Sequence, residues 1–371
     1  MKQAKLFSGI RYIKTDDGTI KAVARTAKSV HNARLTVGGT TYTDSFNSDE
    51  PYDKKTHVFY LTDSAPQAQT VLTFSYTRRK GGKHPKQISF PFGKPEFADP
   101  AMLSDEYNSR ITPQTTAREE IADGVTFIHA LCTDKNGAPV HVIALRIDSR
   151  KASLYVGTPD NGYKNKRVRA KVPAMIDAAV RDGVDAVAAV NADFFDIWGD
   201  FHPAGLCVKN GRVIANGDSP RPFIGIKKDG APVITSLPES PGILAELDQA
   251  AAGLQMIVKD GKIFEWGPLE PFAYVRHPRT AAGIAKDGTI LLLEIDGRIP
   301  AYSNGATLVD LAEMMIRLGA DRAINLDGGG SSIVYTKQGE EFILRSNPAD
   351  LFRPNAMLIR KEFNCLLVTK K

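Results

Sequence analysis

Apolar and polar residues alternate over short runs in the first quarter of the chain: "ARLTVGGTTYT", "HVFYLTD" and "TVLTFSYT". Each run is rich in Val, Thr, Tyr or Phe and is bounded by turn residues, the pattern of strands with one buried face. No helical period stands out over residues 1–98, so an all-β domain is expected there. The proline-rich stretch "FPFGKPEFADP" (90–100) reads as a linker or domain edge. From about Ile121 the pattern becomes mixed. Two segments carry helical signals. "VPAMIDAAVRDG" (172–183) has a proline near its start and a glycine at its end. "TLVDLAEMMIRLG" (307–319) starts on a threonine N-cap, and Leu308, Leu311, Ala312, Met315 and Leu318 form one apolar stripe. Between the other apolar runs, Asn-Gly and Asp-Gly pairs recur, as in "VKNGRVI", "VKDGKIF" and "AKDGTIL", the local signature of hairpins. The expected class is α+β: a mostly antiparallel sheet with flanking helices over 111–371, preceded by a smaller all-β domain over 1–98.

A length of 371 residues fits two domains. No run reaches the roughly 18 apolar residues of a membrane-spanning helix. The first residues, "MKQAKLFSGIRYIK", lack the apolar core of a secretory leader. These residues leave the location open between the outside of the cell or a phage particle, reached without that leader, and the cytoplasm. Three scattered cysteines argue against a disulfide framework or a cysteine-based zinc site. The net charge of +6 is uneven: residues 1–98 hold 16 Lys+Arg against 8 Asp+Glu, or +8, leaving −2 for the rest. The densest basic stretch is "YTRRKGGKHPKQISF" (76–90). A basic face of this kind suits an anionic partner: nucleic acid, an anionic polymer or a membrane surface, of which an anionic glycopolymer is preferred and nucleic acid disfavoured once the resemblance below is taken in.

Three clusters could carry chemistry. "AINLDGGGSSIVY" (323–335) runs a strand into Asp327, then three glycines and Ser331 and Ser332. Consecutive glycine N–H groups can form an anion nest, so Gly328, Gly329, Gly330 and Ser331 are candidates for holding a phosphate beside the Asp327 carboxylate. No helix follows and no Lys-Ser/Thr pair is present, which excludes a Walker-type loop. "RHPRTAAGIAKDGTILLLEIDGR" (276–298) reads as a hairpin turning at Asp287-Gly288. A two-residue turn would set Arg279 opposite Asp296 and Ala281 opposite Glu294, an arginine fork beside two acids. His277 lies just before it as a candidate proton donor. "AVNADFFDIWGDFHPAGL" (189–206) groups Asp193, Asp196, Asp200 and His202 behind a strand ending at Asn191. Oxygen ligands at this density could hold a divalent cation such as calcium, although the spacing is not that of an EF-hand. No cofactor is required by these residues.

Taken in order, "AVNADFF", "GLCVKNGRVI", "RHPRTAAGIAKDGTILLLEIDG", "GATLVDLAEMMIRLGADRAINLDGGGSS" and "NPADLFRPNAMLI" resemble the phosphodiester glycosidase family over roughly 121–371. The resemblance does not reach 1–98. It implies removal of a sugar similar to N-acetylglucosamine from a sugar-1-phosphodiester, by cleavage at the anomeric carbon. Asn191, Arg279, Thr280, Asp296, Asp327, Gly328, Gly329, Gly330 and Ser331 fall on its motifs. The family usually reads Asn-Gly-Gly-Phe-Phe where this chain has Asn191-Ala192-Asp193, so Asp193 inherits no role, and Glu294 is not a fixed family position. A phosphate monoester leaves readily, so the chemistry needs a cationic clamp and one carboxylate near the anomeric carbon. The expected assignment gives the clamp to Arg279 with Gly328–Gly330 and Ser331, and the carboxylate to Asp327. Asp296 orients Arg279 or serves as the second carboxylate, with Asn191, Thr280 and Glu294 contacting substrate. The competing expectation is a non-catalytic adhesin for an anionic cell-surface or cell-wall polymer.

Overall fold

The computed structural model describes residues 7–14, 20–26, 31–37, 39–43, 56–61, 71–77 and 86–91. From 111 to 371 it describes everything except 135, 198, 217–219, 267–272, 300–301 and 349–358. The chain divides into two compact units, Met1–Asn108 and Ser109–Lys371. In the first, the described strands form two antiparallel sheets, one of three strands and one of four. Leu35 and Phe74 pair across neighbouring strands and are buried, and Phe74 meets Phe59 edge to face. The centre of the basic stretch (78–85) and most of the proline-rich stretch (92–100) lie outside the described residues.

The second unit is mostly antiparallel sheet with two α-helices among the described residues. Its largest sheet has eight strands, in the order Lys262–Ile263, Gln255–Lys259, Ala320–Asn325, Arg279–Ala285, Ile290–Ile295, Pro139–Ile147, Val125–Thr133 and Thr112–Ala122. A five-stranded sheet is ordered Ala152–Gly157, Cys365–Lys370, Ala186–Asn191, Val334–Gln338, Glu341–Leu344. A third sheet, also of five strands, contains Cys207–Lys209, Phe223–Lys227 and Leu247–Ala252. One apolar core joins all three through residues such as Phe127, Leu145, Leu292, Val190, Leu366 and Ile224. The helices cover the outer faces. α1 (Val172–Arg181) packs Met175 and Ile176 on the first five-stranded sheet. α2 (Leu308–Arg317) packs Leu308, Leu311, Ala312 and Met315 on the eight-stranded sheet. Its start is held by a capping box between Thr307 and Asp310. No helix among the described residues is long and apolar enough to cross a membrane.

The Arg279–Ile295 hairpin differs from the register expected of a two-residue turn. Ala285 and Thr289 close the ladder, and the Gly288 N–H bonds back to the Ala285 carbonyl. The loop is therefore Lys286-Asp287-Gly288, with Gly288 left-handed at φ +82°, a type I turn followed by a bulge. The extra residue moves every pair by one: Arg279 faces Ile295, Thr280 faces Glu294 and Ala281 faces Leu293. Because side chains alternate, Arg279 falls on the α2 side of the sheet with Ala281, Leu293 and Ile295, while Thr280 and Glu294 share the opposite side.

Candidate active site

Four strand ends meet where the eight-stranded and five-stranded sheets abut: the ends of Ala186–Asn191, Ile290–Ile295 and Ala320–Asn325, and the start of Arg279–Ala285. Asn191, buried at the first of them, ties the sheets together. Its amide donates to the Asp327 carbonyl at 2.6 Å and accepts from the Thr280 hydroxyl at 2.9 Å and the Ile333 N–H at 3.1 Å. The Asp327 N–H donates to the Ala192 carbonyl at 3.0 Å. Asn191, Thr280 and Asp327, distant in sequence, are thus one hydrogen-bonded unit.

The Asp327 carboxylate sits half-buried past its strand. It accepts from its own loop, Gly328 N–H at 2.8 Å and Ser331 Oγ at 2.6 Å. Burial pushes its pKa up, against the opposing pull of Arg360, the two loop donors and Arg298. Arg360 Nη1 donates to Ser331 Oγ at 3.0 Å. A Cβ on Gly329 would lie 2.7 Å from Arg298 Nη2, so the Arg298 guanidinium rests against that glycine. A carboxylate flanked by two guanidinium groups and a serine is thereby built around one short turn (Gly329–Ser331).

Three N–H groups of the expected anion nest are taken up inside the fold. The Gly328 N–H is spent on Asp327, the Gly329 N–H on the Pro278 carbonyl at 2.8 Å and the Ser331 N–H on the Gly328 carbonyl at 3.2 Å. Their role is close approach. A Cβ on Gly328 would meet the Pro278 carbonyl at 2.9 Å, and Gly329 is left-handed at φ +65°.

Arg279, the expected clamp, lies on the face of the sheet opposite to Thr280 and Glu294. Buried on the α2 side, it donates to the carbonyls of Ala306 (3.1 Å) and Val275 (2.9 Å). Its register partner is Ile295, not Asp296. His277 exchanges backbone hydrogen bonds with Ala306 at 3.1 and 3.0 Å, which places it in the same strut.

Glu294 and Asp296 lie on the site side of the hairpin, each 1% exposed. Asp296 accepts from the Asn347 N–H at 2.7 Å and the Tyr302 hydroxyl at 3.1 Å. Glu294 faces Thr280 on one side and Ile143 on the other. Burial raises the pKa of both carboxyls, and the Asp296 charge raises Glu294 further.

Asp193 is buried in a reciprocal pair with Asn364, at 2.9 Å in both directions, beside Cys207. Burial raises its pKa well above the usual range. Asp196, Asp200 and His202 hold ligand atoms within 4.8 Å of one another. Asp196 already accepts from the N–H groups of Gly199 and Asp200, and Asp200 from His202 at 2.5 Å and Lys166 at 3.3 Å. A calcium site needs six or more free oxygen positions. A turn whose carboxylates are bonded to N–H groups and a lysine fits that poorly, and no chemistry is routed through a cation here.

Arg298 and Arg360 went unread in the sequence. Each stands one residue past a recognised motif: Arg298 after "EIDG", Arg360 after "NPADLFRPNAMLI". Most of the latter motif (349–358) lies outside the described residues.

Residues 184–360 match the phosphodiester glycosidase family. The bovine N-acetylglucosamine-1-phosphodiester alpha-N-acetylglucosaminidase is 30% identical over 167 residues, 41% of this chain and 31% of that protein. The human enzyme of the same name is 28% identical over 191 residues, 46% of this chain and 35% of that protein. The matched part therefore spans about a third of these relatives' own length. A prophage-derived uncharacterized protein of Bacillus subtilis, YomE, is 38% identical over 81 residues, 20% of this chain and 12% of that protein. Among solved structures, the zebrafish N-acetylglucosamine-1-phosphodiester alpha-N-acetylglucosaminidase catalytic domain, auto-inhibited by its pro-peptide, superimposes with a TM-score of 0.54 at 20% identity. That superposition covers 70% of this chain and 89% of the zebrafish chain. The fold is shared with the zebrafish domain, and residues 184–360 are similar to the phosphodiester glycosidase family.

Proposed function

We propose that this protein is a hydrolase that releases a sugar similar to N-acetylglucosamine from a sugar-1-phosphodiester by cleavage at the anomeric carbon. The observation that carries the reading is the Asp327 carboxylate, bridged by Ser331 and flanked by Arg298 and Arg360. Two cations beside one carboxylate suit a substrate that brings its own negative charge next to the bond to be broken. The arginines hold the phosphate and take up the charge that develops as it leaves. Asp327 acts at the anomeric carbon, either directly or by activating a water. A phosphate monoester is a weak base, so little protonation of the leaving group is needed. Asn191 and Thr280 hold the Asp327 turn in place through the Asp327 carbonyl and Ser332. The relatives' names suggest the sugar in this proposal, and the family match over residues 184–360 suggests the phosphodiester.

The test compares hydrolysis of a sugar-1-phosphodiester with that of a matched aryl glycoside. Turnover of the phosphodiester alone supports the proposal. Equal turnover of both makes the protein an ordinary glycosidase, and turnover of neither removes the catalytic reading. Arg298→Ala and Arg360→Ala should each depress phosphodiester cleavage by a factor of about 100 or more, on the scale of one lost charge-stabilising group.

A further inference from the structure

The Glu294 carboxyl stands out in the site wall. It is almost fully buried, and no N–H or O–H among the described residues donates to either of its oxygens. The group in hydrogen-bonding reach of it is another carboxyl, that of Asp296, two residues along the same strand face. Two buried carboxylates in contact, one of them without a donor, cannot both be ionised. Asp296 is the better-served member, with the Asn347 N–H and the Tyr302 hydroxyl both donating to it.

We infer that Glu294 and Asp296 share a single proton carried on Glu294, and that Tyr302, held by its stack on His141, is the positioning residue that keeps it there. The inference rests on the site assignment above and deepens it. A pair holding one proton presents one negative charge rather than two to an anionic phosphodiester. It also supplies a neutral carboxyl donor beside Thr280, in the row that leads through Asn191 to Asp327.

The surrounding groups fit this arrangement. The Tyr302 and His141 rings stack at 3.9 Å, and His141 Nδ1 lies 3.4 Å from His129 Nε2 on the neighbouring strand. The charged and titratable groups bearing on the pair are Tyr302 directly, His141 and His129 behind it, and Arg345 beside His129. Burial lowers the pKa of both histidines, so they stand neutral at pH 7 and do not draw the proton off the pair by their charge. Environments that push two adjacent carboxyls apart are the usual mark of divided acid and carboxylate roles.

The experiment is isotope-edited infrared spectroscopy of the full chain, labelled at glutamate or aspartate carboxyls, read beside the pH dependence of kcat/KM. At pH 7 the wild type should show a protonated glutamate that is missing in Glu294→Gln. In Tyr302→Phe, which keeps the ring stack but loses the donor to Asp296, part of the protonated signal should move from glutamate to aspartate. The pair should then release its proton about one pH unit higher, the size expected for one hydrogen bond to a charged group. The alkaline limb of phosphodiester turnover should move the same way. Full ionisation of every glutamate at pH 7, or an unchanged titration in Tyr302→Phe, overturns the inference. The spectrum reads the pair whatever the substrate. A shared proton in a protein that turns over no phosphodiester would sink the functional proposal and leave the pair standing.

Discussion

In the proposed mechanism Arg298 and Arg360 take the clamp that the sequence assigns to Arg279. Arg279 lies on a motif of the resemblance, and its guanidinium donates to the carbonyls of Val275 and Ala306. Arg279→Lys cannot reproduce both bonds from one ammonium group. The expected result is a loss of roughly 1–3 kcal/mol of stability, seen as a lower melting temperature, with turnover per folded molecule largely kept. Asp193 gives a second prediction. Its folded pKa is raised by burial, so the folded state holds a proton that the unfolded state gives up above about pH 4. Stability from this group is fully present below that pH and is lost as pH rises toward the folded pKa. Asp193→Asn keeps the Asn364 contact without a titrating proton. Its melting temperature should therefore fall less than that of the wild type between pH 5 and 9, and parallel curves would contradict this.

At the scale of elements, the Lys286-Asp287-Gly288 loop decides which side chains enter the site. Gly288 is left-handed at φ +82°, where a Cβ is strained. Gly288→Ala should cost about 1 kcal/mol, a fall of a few degrees in melting temperature, without altering turnover. A large loss of activity at unchanged stability would show that the turn acts on the site in some other way. The same loop shows what could be read from sequence. Asp287-Gly288 marked the hairpin, and the apolar stripe with its threonine cap marked α2. Whether the turn had two or three residues was not readable, because Asp-Gly serves both types, and a one-residue difference reverses every facing pair. Asn191, Thr280 and Asp327 could be located because each sits at the end of an apolar strand. Arg298, Arg360 and Tyr302 could not, since loop residues converge only through tertiary packing. The glycine run was legible as a site of close approach. That the Gly328 and Gly329 amides find internal acceptors, the Asp327 carboxylate and the Pro278 carbonyl, was not legible, because it depends on how strands pair.

At the scale of the molecule, the described residues of the site and of its three-sheet core belong to Ser109–Lys371. We propose that residues 1–98, with +8 of net charge, serve as an accessory binder of anionic polymer. Removing Met1–Asn108 should leave turnover of a small soluble phosphodiester within about twofold and weaken retention on an anionic glycopolymer, increasingly so at low salt. Equal retention with and without this unit would reject the accessory role. The account as a whole turns on one carboxylate held between two arginines. Its most direct test is kcat of Asp327→Asn on a sugar-1-phosphodiester, read beside the melting temperature of the same protein. Asparagine keeps the size and an acceptor oxygen for the Gly328 N–H, with its NH2 turned to the Ser331 hydroxyl oxygen, but it can neither attack carbon nor take up a proton. The account predicts a fall in kcat by a factor of about 1,000 or more with a melting temperature close to that of the wild type. A folded Asp327→Asn protein with near-normal turnover would contradict it.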